Sequence, residues 1–291
     1  MHMLHSHRTC LSVFAVLLGA FLVLAPIDAE AQERDRELPR LSPSAATYQV
    51  IGVTEVMITY GRPAVRERTI FGELVPYGEV WRTGADEATT ISFSDDVEIE
   101  GQHVEEGVYA LFTVPGEDEW SIILNEQPEQ WGAYQYDEDR DVLNVSATPE
   151  PADHQERLTF YFEDIDRTSG TLVLHWADVR VPIDLQVDTD AILSERAEEA
   201  IEQEDWDALH GYTAHALQQE AMMDEARDWV QAWVAEEETF ANLALKARIL
   251  AWHGDYEAAS DVVDRAIAAG EIEEASPDQL EELEQEAQEW H

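Results

Sequence analysis

From about Ala46 to Val187 the apolar positions come in short runs rich in β-branched and aromatic residues. Val56–Tyr60, Thr89–Phe93, Val108–Val114, Trp120–Leu124, Val142–Ser146, Leu158–Phe162, Thr171–Trp176 and Val179–Val187 are the clearest. Turn signals stand between them at Glu100-Gly101, Pro115-Gly116, Ser169-Gly170 and Ala177-Asp178. About eight to ten short strands with no helical period among them predict an antiparallel β-sandwich or barrel over residues 46–188.

After Asp188-Thr189-Asp190 the spacing becomes helical and the composition turns to Ala, Glu, Leu and Trp. Ala226, Trp229, Val230 and Trp233 form one stripe of a helix over Asp224–Val234. Phe240–Trp252 continues as a second helix, and Gly254-Asp255-Tyr256 opens a third that Gly270 is expected to stop. The segments starting at Met223 and Asp255 begin their helices about 33 residues apart, a spacing that resembles a tetratricopeptide repeat. Ile201–Leu217 suggests a degenerate preceding pair, and Ser276 onwards an acidic capping helix. A small α-hairpin domain packed on itself is the alternative to a ligand groove. The predicted fold class is α+β in two domains: an all-β antiparallel sandwich or barrel, then an all-α, tetratricopeptide-like domain over residues 189–291.

The start of the chain reads as an address. His5, His7 and Arg8 precede the apolar run Leu11–Leu24, which Pro26 and Ala29-Glu30-Ala31 follow. This is the pattern of a Sec-type signal peptide over residues 1–31, with a linker over 32–45. At about fourteen residues the run is short for a membrane span, which needs about twenty; a retained anchor is the alternative. Cys10 precedes the run, so lipid attachment to a cysteine after it finds no support. Cleavage after Ala31 would leave no cysteine, and with it no disulfide, thiol nucleophile or cysteine-bound metal. The expected location is periplasmic or secreted, without stable membrane insertion after cleavage.

Composition narrows the partners. The 291 residues carry 63 Asp+Glu against 17 Lys+Arg, a formal net charge of −46. Nucleic acid is excluded as a partner because phosphate binding needs clustered cations. Lys246 is the sole lysine. Replacement of lysine with carboxylates on most solvated faces resembles proteins adapted to concentrated salt, which screens self-repulsion. The rival reading, a calcium loop at Asp137–Asp141, lacks the Gly and Glu that such loops need at their sixth and twelfth positions. No metal or cofactor is expected.

No nucleophile elbow, zinc-binding histidine pair, phosphate loop or dinucleotide fingerprint occurs. One stretch stands apart in charge. Tyr60–Arg82 holds Arg62, Arg66, Arg68 and Arg82 against Glu67, Glu73 and Glu79, leaving it slightly positive inside a strongly acidic chain. Gly61, Pro63, Gly72, Pro76 and Gly78 punctuate it as an ordered loop. Guanidinium forks beside Tyr77 and Trp81 suit a carboxylate, a phosphate or a stacked sugar. The alternative is internal pairing with acids such as Asp86 and Glu87. Trp131 and Tyr134, in a second aromatic cluster running to Tyr136, form either a stacking platform or a cap on the core.

Tyr60-Gly-Arg-Pro63, Ile70-Phe-Gly72, Leu74–Gly78, Val80–Thr89, Gly107–Gly116 and Trp131–Tyr134 together resemble the domain of unknown function 2911 family, over roughly residues 40–188. The resemblance implies an exported β-rich domain of bacteria and carries no catalytic set to transfer. Its most recognisable block, Trp81-Arg82-Thr83-Gly84, coincides with the arginine-rich loop. The favoured reading is a non-catalytic cell-envelope protein that binds an anionic or glycan ligand. Its candidate ligand residues are Arg62, Arg66, Arg68, Tyr77, Trp81, Arg82, Glu87, Trp131 and Tyr134, with a protein partner on the helical tail. The alternative is an extracytoplasmic hydrolase of a glycan, ester or peptide using Asp86, Glu87 or His175.

Overall fold

The computed structural model describes residues 39–290; the predicted signal peptide lies outside them. Ten strands precede six helices. The first sheet is formed by β1 (Ser44–Ile51), β2 (Thr54–Gly61), β3 (Thr89–Phe93), β6 (Gly107–Val114), β7 (Trp120–Asn125) and β8 (Asp141–Ala147), adjacent in that order. The second runs β5 (Gln102–Val104), β4 (Val97–Ile99), β10 (Ser169–Gln186) and β9 (Glu150–Glu163). All the pairings are antiparallel.

Alternation along the strands builds the core. Val56, Ile58 and Tyr60 of β2 meet Leu172, Leu174 and Trp176 of β10 in one apolar cluster between the sheets. Tyr60 crosses the gap: its hydroxyl accepts from the Phe160 amide at 3.1 Å and its ring meets Phe160 edge-on at 4.8 Å. The outer face of the first sheet carries a smaller cluster, Ala88, Ala110, Phe112 and Ile123, covered by Val80, Ala133 and Tyr136.

Three local differences from the sequence reading have physical causes. β1 begins at Ser44, ahead of the predicted start at Ala46. Ala177-Asp178, read as a turn, is a bulge inside the continuous strand β10, with Ala177 at φ 53° and register shifts on either side. Gly270, read as a helix stop, is buried inside a helix at a crossing.

The helices are α1 (Thr189–Glu202), α2 (Trp206–Gln219), α3 (Met223–Glu236), α4 (Phe240–Trp252), α5 (Tyr256–Ile272) and α6 (Pro277–Glu289). Short acceptor side chains start most of them. Asp188 and Asp205 each take an amide of the first turn, and Thr239 and Ser276 form reciprocal capping boxes with Asn242 and Gln279. Each helix packs on the next around a second apolar core that includes Trp229, Val230, Leu243 and Val263. Arg196 of α1 reaches Asp95 of the β region at 2.5 Å. Among the described residues no helix is long and apolar enough to cross a membrane.

Candidate functional site

The connection between β2 and β3, residues 62–88, lies across the end of the sandwich. Isolated bridges Ala64–Arg157 and Trp81–Thr113 pin it to the two sheets, and Glu87–Trp131 ties it to the β7–β8 connection. Trp81 is buried, stacked on Trp176 at 5.8 Å, and its indole donates to the Gly84 carbonyl at 3.1 Å. Phe71 meets both indoles edge-on at 6.1 Å. This aromatic group anchors the loop, so the side chains around it hold fixed positions.

Four residues of this region other than glycine have left-handed backbones: Arg66 at φ 50°, Glu67 at 57°, Thr83 at 52° and Asp86 at 67°. A β-branched residue is unfavourable there. Thr83 is held by burial and by hydroxyl contacts with Thr113 Oγ1 at 3.1 Å and the Trp81 carbonyl at 3.3 Å. Strain of this kind persists where the surroundings over-determine it, and it clusters at functional sites.

Between the loop and Trp176 lies a cleft of about 340 Å³. Arg66, Arg68 and Arg82 line it, with Leu41, Pro63, Leu74 and Val75 among its apolar walls; Asp86 is its one carboxylate. The pairing of the arginines sets this place apart. Arg40, Arg140, Arg167, Arg180, Arg196, Arg227, Arg248 and Arg265 each lie within ion-pair distance of an Asp or Glu. Arg62, Arg66, Arg68, Arg82 and Arg157 make no such pair among the described residues, and three of these five line the cleft. Arg62 donates to the Leu158 carbonyl at 2.9 Å and to Thr159 Oγ1 at 2.7 Å. Arg68 donates to the carbonyls of Val65 at 3.0 Å and Ala64 at 2.6 Å. The Arg66 guanidinium reaches the Leu41 carbonyl at 3.5 Å, while its backbone amide donates to Glu156 Oε1 at 3.1 Å. Carbonyl acceptors position these groups without neutralising them.

Buried side-chain polar atoms without a partner among the described residues include Arg82 Nε and Trp176 Nε1. Both residues line the cleft. An orphaned buried donor costs about 1–3 kcal/mol, and both atoms are closed to solvent, so they mark local frustration beside the cleft, whose open donors are the arginine side chains.

The structure distributes the other sequence candidates differently. Arg62 turns towards β9 and does not line the cleft. Tyr77 is exposed and lies over Gly72, where a β-carbon would come within 2.9 Å of the ring. Trp131 and Tyr134 are exposed, whereas Tyr136 from the same cluster covers Phe112 at 5.1 Å, so the platform and cap readings apply to different rings. The Tyr136 hydroxyl bonds Asp141 at 2.5 Å; burial and then that carboxylate push its pKa well up. Glu87 is buried and pairs with Arg40 at 2.7 Å. His175 bonds the Asp153 carbonyl at 2.9 Å. Of the acid–base candidates only Asp86 lines the cleft. Among the described residues no group of three or more His, Cys, Asp or Glu is placed to hold a metal. Asp137 instead caps the short 3-10 turn Glu138–Arg140.

Trp176 was missed as a site residue. Its signal was present in the inward alternation of Leu172, Leu174 and Trp176 along β10, but nothing in the sequence says that its N–H goes unpaired.

Residues 42–185 match the family model described as Protein of unknown function (DUF2911). The matched region contains all the cleft residues except Leu41. No curated protein and no solved structure matches the chain.

Proposed function

We propose that this is an extracytoplasmic binding protein whose β region takes an anionic ligand in the Arg66–Arg68–Arg82 cleft. The observation that carries the proposal is the selective lack of carboxylate partners. In a chain of net charge −46, three guanidinium groups share one cavity without an ion pair among the described residues, while none of the ion-paired arginines lines it. The strained loop and the aromatic anchor hold those groups ready, which lowers the ordering cost of binding.

Isothermal titration of the mature chain against small carboxylates, uronates and phosphate tests this. Saturable binding of at least one anion is expected, weakened about tenfold or more in Arg82→Ala, in keeping with loss of a charge-assisted hydrogen bond. No binding to any anion, or unchanged affinity in Arg82→Ala and Arg66→Ala alike, overturns it.

Export is part of the same proposal, motivated by Leu11–Leu24 ahead of Ala29-Glu-Ala31. Cell fractionation that recovered the processed chain from the cytoplasm would remove that part. A protein partner for the helical region is motivated by the exposed Trp252 and Tyr256, which share a groove with Arg248 and Trp290. Crosslinking in intact envelopes is expected to yield a discrete product that Trp252→Asp abolishes; a product insensitive to that change counts against this groove.

A further inference from the structure

We infer that the ligand of the cleft is a monocarboxylate with an apolar body, in preference to a bare inorganic anion or an acidic sugar; this rests on the anion-binding reading above. Two properties of the cavity carry the inference beyond charge.

The first is the balance of donors and acceptors. Arg66, Arg68 and Arg82 bring three guanidinium groups to the lining, none of them ion-paired among the described residues. Each guanidinium has five N–H donors, and Arg68 spends Nε and one terminal nitrogen on the Val65 and Ala64 carbonyls. In the lining the Ala64 and Gly84 carbonyls thus each already hold one donor, and the Ser42 hydroxyl is the one neutral side-chain acceptor. Asp86 is the only carboxylate in the lining. A sugar needs acceptors for its hydroxyl protons as well as donors for its oxygens. A carboxylate is acceptor-only, with about four lone-pair sites, and matches a wall whose charged groups are three guanidinium groups against one carboxylate.

The second is the remainder of the wall. Leu41, Pro63, Leu74, Val75 and the two stacked indoles make the rest of the lining largely apolar. A hydrated phosphate or sulfate would leave those walls without a partner. An alkyl or aryl group attached to the carboxylate would cover them, and a volume of about 340 Å³ lies at the small end of ligand pockets. The two features sit at one site, so a single molecule with a charged head and an apolar body satisfies both.

The test is titration of the mature chain with acetate, hexanoate, phenylacetate, phenylacetamide, galacturonate and phosphate under one salt condition. Hexanoate or phenylacetate is expected to bind at least tenfold tighter than acetate, galacturonate and phosphate, with no binding of the neutral amide. Arg82→Lys keeps the charge and removes the guanidinium fork; it is expected to weaken all the carboxylates together. Leu74→Ser, on the exposed rim, is expected to weaken hexanoate and phenylacetate but to leave acetate unchanged. Circular dichroism melting of both variants separates loss of binding from loss of fold. Galacturonate or phosphate binding as tightly as the apolar carboxylates, or the amide binding as tightly as its acid, overturns the inference and leaves an anion cleft in place. Binding of none of the six overturns the inference and the proposed function together.

Discussion

At Gly61 the end of β2 touches the loop backbone. A β-carbon there would come within 2.2 Å of the Ala85 carbonyl oxygen and 3.0 Å of its carbon. The reverse approach is looser, since a β-carbon on Gly84 would lie 3.3 Å from the Gly61 carbonyl oxygen, with Thr89 Oγ1 nearer at 2.7 Å. Backbone cannot move aside as a flexible side chain can. Gly61→Ala is therefore expected to cost about 1–3 kcal/mol in denaturant unfolding, as overpacking does. It should also weaken anion binding, because Gly84 and Ala85 line the cleft; an unchanged midpoint would show that the loop is not fixed by this contact. A second residue-scale effect depends on pH. His154 bonds Asp178 at 2.9 Å and approaches Glu156 at 3.4 Å, and these partners, Asp178 first, raise its pKa above the usual imidazole value. The imidazolium contribution is thus fully present below the unfolded pKa of about 6.5 and is lost as pH rises through the higher folded value. The difference in melting temperature between the wild type and His154→Leu should be largest near pH 6 and shrink in alkaline buffer. A difference that grew with pH would contradict this pairing.

Glycines within the helices show how local patterns and packing diverge at the level of the element. Gly211 lies inside α2 with nothing within 4 Å of an added β-carbon, whereas at Gly270 in α5 that atom would meet Leu280 Cδ2 at 2.6 Å and Phe240 Cδ2 at 2.9 Å. Gly211→Ala should stabilise by up to about 1 kcal/mol, the usual gain in helix propensity. Gly270→Ala should destabilise, because the crossing of α4, α5 and α6 needs the space; thermal melts of the two variants should shift in opposite directions. The same comparison explains what could be read from the sequence. Strands with strong β-branched patterns, such as Thr89–Phe93, and the helix Phe240–Trp252 were visible with their ends. β1 was poorly marked because it is an edge strand whose Tyr48 and Val50 remain partly exposed, so its alternation is weak. β4 and β5 have three residues each, too few for a period. Gly270 and Ala177-Asp178 carried stop and turn signals that tertiary packing overrode. The arginine island was legible because charge is a local property of sequence. Which guanidinium finds a carboxylate, and that Trp176 shares a cavity with Arg82, depends on chain segments far apart in sequence.

Over the whole molecule, the net charge of −46 makes self-repulsion a term against folding that no single ion pair offsets. Exposed pairs such as Arg227–Asp255 contribute about 0–1 kcal/mol each and are themselves screened by salt. Going from about 0.1 M to 1 M salt shortens the Debye length from about 10 Å to 3 Å, so repulsion between neighbouring carboxylates falls more than the short-range pairs do. The melting temperature should therefore rise with potassium chloride, most steeply below about 1 M, where screening changes fastest. A general strengthening of apolar burial by salt would also raise it, so α6 supplies the discriminating case. Glu282, Glu284 and Glu289 are exposed there, and Glu289 sits at the carboxyl end, where the helix dipole disfavours an anion. The triple change Glu282→Gln, Glu284→Gln, Glu289→Gln removes three charges and leaves the buried Leu283 and the Arg248–Glu286 pair in place. It should raise the melting temperature in dilute buffer and converge on the wild type in concentrated salt. A constant offset at every salt concentration would place the effect in helix propensity, and carboxylate repulsion would then not be what limits the stability of this molecule.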